Sequence, residues 1–207
     1  TLDLRCDYSV TVDNAAKSAV LKTLDLAGTQ SQRPLLQAAL TAPMTIAWGN
    51  TANAVGDSAL NLTVNALDLA DWKPFIGTIA PACKVDLTAK LLSQQAGNQL
   101  QIESKAGVAG LTVVAATNRF TGLGVNLEAR GQATDLQQFK LASYSAKLAQ
   151  NGQQLLTANG SGTYDLATQA ADADAKVVIE LPSMVRALAL PDVAVSAGSL
   201  QMQAQLK

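Results

Sequence analysis

The sequence predicts an all-β fold with one or two short helices, a long antiparallel meander with an apolar face and a polar face. Two observations predict it: apolar and polar residues alternate along most of the chain, and turn dipeptides separate the alternating runs. The composition agrees, because 48% of the 207 residues are hydrophobic and only 15% are charged. Such a chain can bury a sizeable apolar surface without metals or disulfides.

The predicted strands begin near the amino terminus. From Leu2 to Val12 the even positions are apolar and the odd positions polar, and successive strand side chains point to opposite faces. Residues 35–40 are also predicted as a strand, although their Ala and Leu content favours a helix on propensity alone. Around 137–142 the alternation slips by one residue, as a β-bulge produces. Further alternating runs lie at 60–66, 85–91, 100–102, 111–115, 123–129, 142–148, 173–181 and 200–206.

Turn dipeptides separate several of these runs, and their Gly and Asn residues supply the positive φ that tight hairpins need. They are Asp13-Asn14, Gly49-Asn50, Gly97-Asn98 and Asn151-Gly152. Neighbouring strands are therefore expected to pair antiparallel. Most connections leave no room for crossover helices, which excludes a doubly wound α/β fold.

Two segments depart from the alternation and are predicted as short helices. The first is 67–76, with Asp68 as a possible N-cap and Pro74 at its end. The second runs from Pro182 to Pro191. Each follows a strand, so they could belong to two copies of one unit about 112 residues apart. We expect residues 1–207 to be a single segment excised from a longer chain, with possible internal units 1–91 and 92–207.

About a dozen strands form a sheet that is too broad to stay flat. It must become a sandwich with a dry core, a closed barrel, or a curved, U-shaped groove whose apolar interior stays accessible. Small inward residues, Ala especially, leave space in the groove and favour it.

Catalytic and metal chemistry is not expected. The chain has no histidine, so Ser-His-Asp and Cys-His arrangements cannot be built. Asp172 and Asp174 would share a strand face and could hold a weak Ca²⁺ ion, but solvated carboxylates are the better interpretation. We therefore expect no enzyme activity, no metal and no cofactor. A net charge of -1 without basic clusters also argues against a nucleic-acid partner.

The two cysteines, Cys6 and Cys83, match no metal-binding spacing. Two buried structural thiols are the favoured interpretation, and a disulfide in an oxidising envelope is the alternative. Glycine pairs at Gly122 and Gly124, and at Gly160 and Gly162, are expected to be close-packing positions within strands.

Three stretches carry a resemblance to a known family. A strand leads into Leu67-Asp68-Leu69-Ala70-Asp71-Trp72 with Pro74-Phe75-Ile76 behind it, and Ile79-Ala80-Pro81-Ala82 leads into the run at 85–91. The third stretch is 197–206. This order resembles the AsmA-like group of bacterial envelope proteins, which includes TamB.

The resemblance implies a repeating β-groove, apolar inside and polar outside, of the kind found in bridge-like lipid transfer proteins. It implies a periplasmic or cell-envelope location, inner-membrane anchoring of the full-length protein, and a role in phospholipid transport and outer-membrane integrity or assembly. Expected partners are a phospholipid or other acyl-chain lipid, further repeats of the same chain, and membrane proteins at its ends. The alternative is a non-catalytic β-sandwich or β-solenoid spacer of a large surface protein.

The groove hypothesis assigns the apolar strand positions to the lipid-contacting wall. The predicted wall residues are Leu4, Tyr8, Val10, Leu62, Val64, Leu87, Leu100, Ile102, Leu111, Val113, Val125, Leu127, Val177, Ile179 and Met202.

Overall fold

The computed structural model describes residues 2–48, 57–72, 83–115, 118–188 and 193–207. Here a single antiparallel sheet of twelve strands, which does not close, confirms the predicted all-β meander. The strands are β1 (Leu2–Asp13), β2 (Ser18–Gln30), β3 (Arg33–Leu40), β4 (Met44–Ala47), β5 (Ser58–Asp68), β6 (Lys84–Gln94), β7 (Gln99–Ala115), β8 (Asn118–Thr134), β9 (Gln138–Gln150), β10 (Gln153–Asp165), β11 (Ala170–Glu180) and β12 (Ser199–Leu206).

Strands that are consecutive in sequence are neighbours in the sheet, except at β4. The order is β1-β2-β3-β5-β6-β7-β8-β9-β10-β11-β12, and β4 pairs with β2 beyond the end of β3. β1 and β12 are the two edge strands. Among the described residues there is one sheet, so the sandwich and barrel alternatives do not apply to them.

The register places the apolar positions of all the strands on one face, since residues opposite each other in an antiparallel ladder share a face. We call this the apolar face. One row across it consists of Leu36, Val64, Leu87, Ala106, Leu127, Ala146, Ala158, Val177 and Met202. On the opposite, polar face, one row consists of Asn61, Lys90, Glu103, Arg130 and Ser143.

Two local predictions about the strands are confirmed. Residues 35–40 lie in β3, so strand pairing outweighs their helix propensity. The predicted slip around 137–142 is a bulge: Arg130 pairs with Ser143 and Gly131 with Leu141, which leaves Ala142 without a ladder partner in β8. The bulge keeps Leu141 and Tyr144 on the same face despite their odd spacing.

The first predicted helix is shorter than expected and begins later. Leu67 and Asp68 still pair with β6, and a 3₁₀ helix, η1, spans Leu69–Trp72. The helix prediction for 67–68 was wrong because the ladder retains those residues. The Asp68 carboxylate accepts the Ala70 amide N–H at 3.0 Å, as expected of a cap. Residues 74–76 lie outside the described residues.

The second predicted helix forms as α1, Leu181–Leu188, with Pro182 in its first turn. Pro191 lies outside the described residues. The two strand-to-helix junctions share one feature: the first helical amide bonds the residue that precedes the next strand. Leu69 N–H donates to the Cys83 carbonyl at 3.0 Å, and Leu181 N–H donates to the Gly198 carbonyl at 3.1 Å. The internal units 1–91 and 92–207 stay a prediction that this likeness supports.

Predicted turns occur at Asp13-Asn14, Gly97-Asn98 and Asn151-Gly152, whereas Gly49-Asn50 lies outside the described residues. The turns at 31–32, 135–137 and 166–169 were not predicted, because positive φ falls there on residues other than Gly and Asn. The strand ends that carry the turns at 14–17, 95–98, 135–137 and 166–169 form what we call the turn edge. The opposite strand ends, which carry η1 and α1, form the helix edge.

Buried side chains concentrate at one corner of the sheet, where β4 lies beside the turn edge. Ser58 Oγ donates to the Ala42 carbonyl and Ser93 Oγ donates to the Thr45 carbonyl. Because both serines lie on the apolar face, the chain at 42–45 must cross over that face. We call this the β4 corner. Its buried residues are Ser18, Met44, Thr45, Ala47, Ser58, Ala59 and Ser93.

A glycine lets the β4 corner close. A Cβ on Gly97 would lie 2.6 Å from the Thr45 carbonyl oxygen, and its φ of +85° is strained for any side chain. Gly97 thus permits the turn at 95–98 to pack directly on β4. At this corner β4 and the turn at 95–98 cover part of the apolar face.

Candidate functional site

The candidate site is the part of the apolar face that no described segment covers. The register brings all of the predicted wall residues, from Leu4 in β1 to Met202 in β12, onto this one face. Leu111 and Val113 also lie on the apolar face, because register shifts in β7 and β8 pair them with Leu123 and Phe120. The predicted residues therefore form one continuous surface.

The wall residues are exposed or half-buried, and none is buried. Tyr8 is 68% exposed, Leu4 52%, Met202 48%, Ile102 47% and Leu127 46%. The chain as a whole exposes 13017 Å², whereas a compact protein of 21.4 kDa exposes about 9,100 Å². The excess is the expected consequence of an open sheet with both faces accessible.

Several residues of the apolar face are absent from the predicted wall. Phe139, Leu141 and Tyr164 are 39%, 38% and 41% exposed and lie on it near the turn edge. Because of the bulge at Ala142, the apolar-face residues of β9 have odd numbers before the bulge and even numbers after it. Counting every second residue back from Tyr144 therefore assigns Leu141 to the polar face, which is wrong. The bulge was detectable in the sequence, and it was the signal that could have recovered Phe139 and Leu141; Tyr164 lies in β10, where no alternating run was predicted.

The size of the residues on the apolar face differs between the two halves of the sheet. Across β2–β6 this face consists mostly of branched aliphatic residues, among them Leu26, Leu60 and Leu91. Across β8–β11 small residues alternate with larger ones. The small residues there are Ala129, Gly131, Ala133, Ala146, Ala158, Gly160, Gly162, Ala171, Ala173 and Ala175.

One aromatic ring lies directly over these small residues. A Cβ on Gly160 would come within 2.6 Å of Tyr144 Cε1 and would overlap the Asp174 carbonyl oxygen. Tyr144 and Gly160 are opposite each other in the ladder. Gly160 therefore accommodates the ring of its neighbour, and both glycine pairs lie within strands as predicted.

The polar face carries rows of exposed charged side chains. Lys105 Nζ lies 3.6 Å from Glu128 Oε1, and Arg130 Nε lies 3.7 Å from Glu103 Oε1. These side chains are exposed, so each pair contributes little to stability, about 0 to 1 kcal/mol. They mark this face as the water-facing side of the sheet.

The two aspartates singled out in the sequence lie on the polar face of β11. Both are exposed, and Asp174 Oδ1 accepts the Ser161 hydroxyl at 2.6 Å. Within the described ranges, no group of three or more potential metal ligands is found. Asp172 also borders a cavity at the turn edge, described below.

The cysteines differ from each other, and the interpretation as two buried thiols is wrong for one of them. Cys83 is buried and Cys6 is exposed, and both are free. Cys6 lies on edge strand β1, where no described segment covers the apolar face. Burial raises the pKa of the Cys83 thiol, and the nearby Asp68 carboxylate raises it further.

In the part of the chain that the structure describes, no helix has the length and apolar character needed to cross a membrane. Comparisons of the chain with protein-family models, curated protein sequences and solved structures found no match.

Proposed function

We propose that the chain is a lipid-binding module whose apolar face holds acyl chains. The observation that carries the proposal is the continuous apolar face, open from β6 to β12, with residues such as Leu127 and Met202 about half exposed. Monomeric soluble proteins rarely leave a large contiguous apolar patch in water, so such a surface marks a binding site.

The chemistry of the face suits an acyl chain. Burial of each methylene stabilises a complex by about 0.8 kcal/mol and requires no directional contact. Across β8–β12 the residues facing this side are apolar or glycine, apart from Gln150 near the helix edge and the phenol groups of Tyr144 and Tyr164. An acyl chain could therefore move from row to row without breaking hydrogen bonds.

The setting of this activity follows from the resemblance to AsmA-like proteins. In that setting the module conducts phospholipids within a bacterial cell envelope, joined to further repeats of the same chain. At about 4.8 Å per strand, the sheet provides roughly 50 Å of groove.

The test replaces facing residues with carboxylates. Leu87 and Leu127 belong to the same row of the apolar face, separated by Ala106. Leu87→Asp or Leu127→Asp should weaken binding of an environment-sensitive fluorescent fatty acid by about tenfold, because bound acyl chain would desolvate the charge.

The matched controls are Thr88→Asp and Asn126→Asp, each one residue away on the same strand but on the polar face. They should leave the affinity within about twofold. If the wild-type chain bound no fatty acid and contained no co-purified lipid, the proposal would fail. Protection of the apolar face by a protein partner alone would then favour an interaction module.

A further inference from the structure

A cavity among the described residues lies at the turn edge of β8–β11. It has a volume of about 560 Å³, within the range of small-molecule sites. Its wall takes residues from both faces of the sheet. Phe139 and Tyr164 come from the apolar face, whereas Lys140 and Asp172 come from the polar face.

The aromatic part of the wall is one cross-strand pair. Phe139 and Tyr164 lie directly opposite each other in β9 and β10, and both rings remain about 40% exposed. Aromatic faces attract cations, quaternary ammonium groups in particular. The pair also continues the apolar face as far as the cavity.

The charged part of the wall carries both signs. Lys140 and Lys207 contribute cations, and Asp165 and Asp172 contribute carboxylates. Within the described ranges, no ion pair engages any of the four. Lys140 and Asp172 lie on either side of Thr163 in the two neighbouring strands, so their Cα atoms are about 10 Å apart.

The turn next to the cavity fixes one of these charges. Asp165 Oδ1 accepts the amides of Ala167 and Thr168 at 3.0 and 2.9 Å, and Oδ2 accepts the Gln138 side-chain amide at 3.3 Å. The Thr168 amide, followed by the smaller effects of the other donors, keeps the pKa of this carboxyl below its ordinary value.

Backbone bonds between turns hold the rim of the cavity. Leu166 N–H donates to the Gln137 carbonyl at 2.8 Å, and Asp135 N–H donates to the Asn98 carbonyl at 2.8 Å. Three successive turns of the turn edge are thus joined, so the rim is preformed. A preformed site loses less entropy on binding than one that must be ordered.

We infer that this cavity binds the zwitterionic headgroup of a phospholipid whose acyl chain lies on the apolar face. The lysines complement a phosphate, and the carboxylates together with the aromatic pair complement a choline or ethanolamine group. The inference rests on the proposed function and adds to it a binding site for the lipid headgroup at the turn edge.

The test compares three probes that share one acyl chain: oleoyl lysophosphatidylcholine, oleoyl lysophosphatidylglycerol and oleate. Each displaces a fluorescent fatty acid from the 207-residue chain. We expect the zwitterionic probe to bind about fivefold to tenfold more tightly than the anionic lysolipid. Asp172→Asn should remove this preference, because the carboxylate faces the cationic group, whereas Lys140→Gln should weaken both lysolipids by about fivefold, because both carry the phosphate. Both variants should leave oleate affinity within about twofold.

Matched controls exist on the same strands. Lys147 of β9 and Asp174 of β11 also lie on the polar face but outside the cavity. Lys147→Gln and Asp174→Asn should keep the preference for the zwitterion and the affinity for both lysolipids. If Lys140→Gln and Asp172→Asn behaved like these controls while the probes still bound, the headgroup site would be wrong and the proposed function would stand.

Two further outcomes also overturn the inference. A preference for lysophosphatidylglycerol that Lys140→Gln removes would identify an anionic headgroup site instead. Failure of all three probes to bind would overturn both the headgroup site and the lipid-binding function.

Discussion

The β4 corner and the open face over β8–β12 belong to the same face of one sheet, yet the corner is tightly packed whereas most of the open face is exposed or half-buried. Met44 in the corner is 0% exposed, whereas Met202 in β12 is 48% exposed. Both are methionines in apolar-facing strand positions. The difference teaches that one-faced alternation specifies an apolar surface and leaves open whether protein or a ligand will cover it.

The residues under the covering segment also differ from those on the open face. Ser58 and Ser93 lie on the apolar face of the corner, and their hydroxyls satisfy the carbonyls of Ala42 and Thr45. A backbone that crosses a dry surface needs such donors, because a buried unpaired carbonyl costs about 1 to 3 kcal/mol. Over β8–β12 the apolar face offers no serine or threonine, which suits an acyl chain better than a covering strand.

The largest expected effect is a difference in the free energy of unfolding between variants of the two methionines. Met44→Ala should lower the free energy of unfolding by about 2 to 5 kcal/mol, because it leaves a cavity in a packed corner. Met202→Ala should cost less than about 0.5 kcal/mol, because that side chain stays half in water. Urea unfolding of both variants provides the measurement. Equal costs would contradict the distinction between a closed corner and an open face.

A second prediction concerns the floor of the open face. Gly160→Ala should cost about 1 to 3 kcal/mol, because its Cβ would overlap the Asp174 carbonyl and press on the Tyr144 ring. Gly107→Ala is the matched control in β7, where the nearest atom, Asn126 Oδ1, would be 3.5 Å away. It should be neutral or stabilising by up to about 1 kcal/mol. Thermal unfolding that ranks the two variants the other way would show that Tyr144 does not pack on Gly160.

The smallest effect is a difference in reactivity between the two thiols. Iodoacetamide should alkylate exposed Cys6 at least about tenfold faster than buried Cys83 in the folded chain, as followed by peptide mass spectrometry. Because the pKa of Cys83 is raised, its alkylation should increase at a higher pH than the ordinary thiol value of about 8.5. The two rates should converge in denaturant. Equal rates in the native chain would contradict the burial of Cys83.

The strands were predictable because alternation is a local signal. Leu36 to Leu40 alternate correctly in β3 despite helix-forming residues, and the parity change between Leu141 and Tyr144 revealed the bulge. β2, β4 and β10 were missed. A register shift beside Thr23 interrupts the alternation of β2, and Gly160 and Gly162 take apolar-face positions in β10. β4 has only four residues, Met44–Ala47, too few for a period of two to show. The helix prediction at 67–68 failed because pairing with β6 extends β5 by tertiary contact.

The amino-acid sequence alone determined which side chains share a face, since a period of two fixes that for each strand. It also determined the absence of histidine and the apolar, weakly charged character of the chain. Only the tertiary structure decided that Cys6 lies on an edge strand and that Ser93 lies under Thr45, which is 48 residues away in the chain. Coverage of a face depends on which distant segments meet, and no local pattern encodes that.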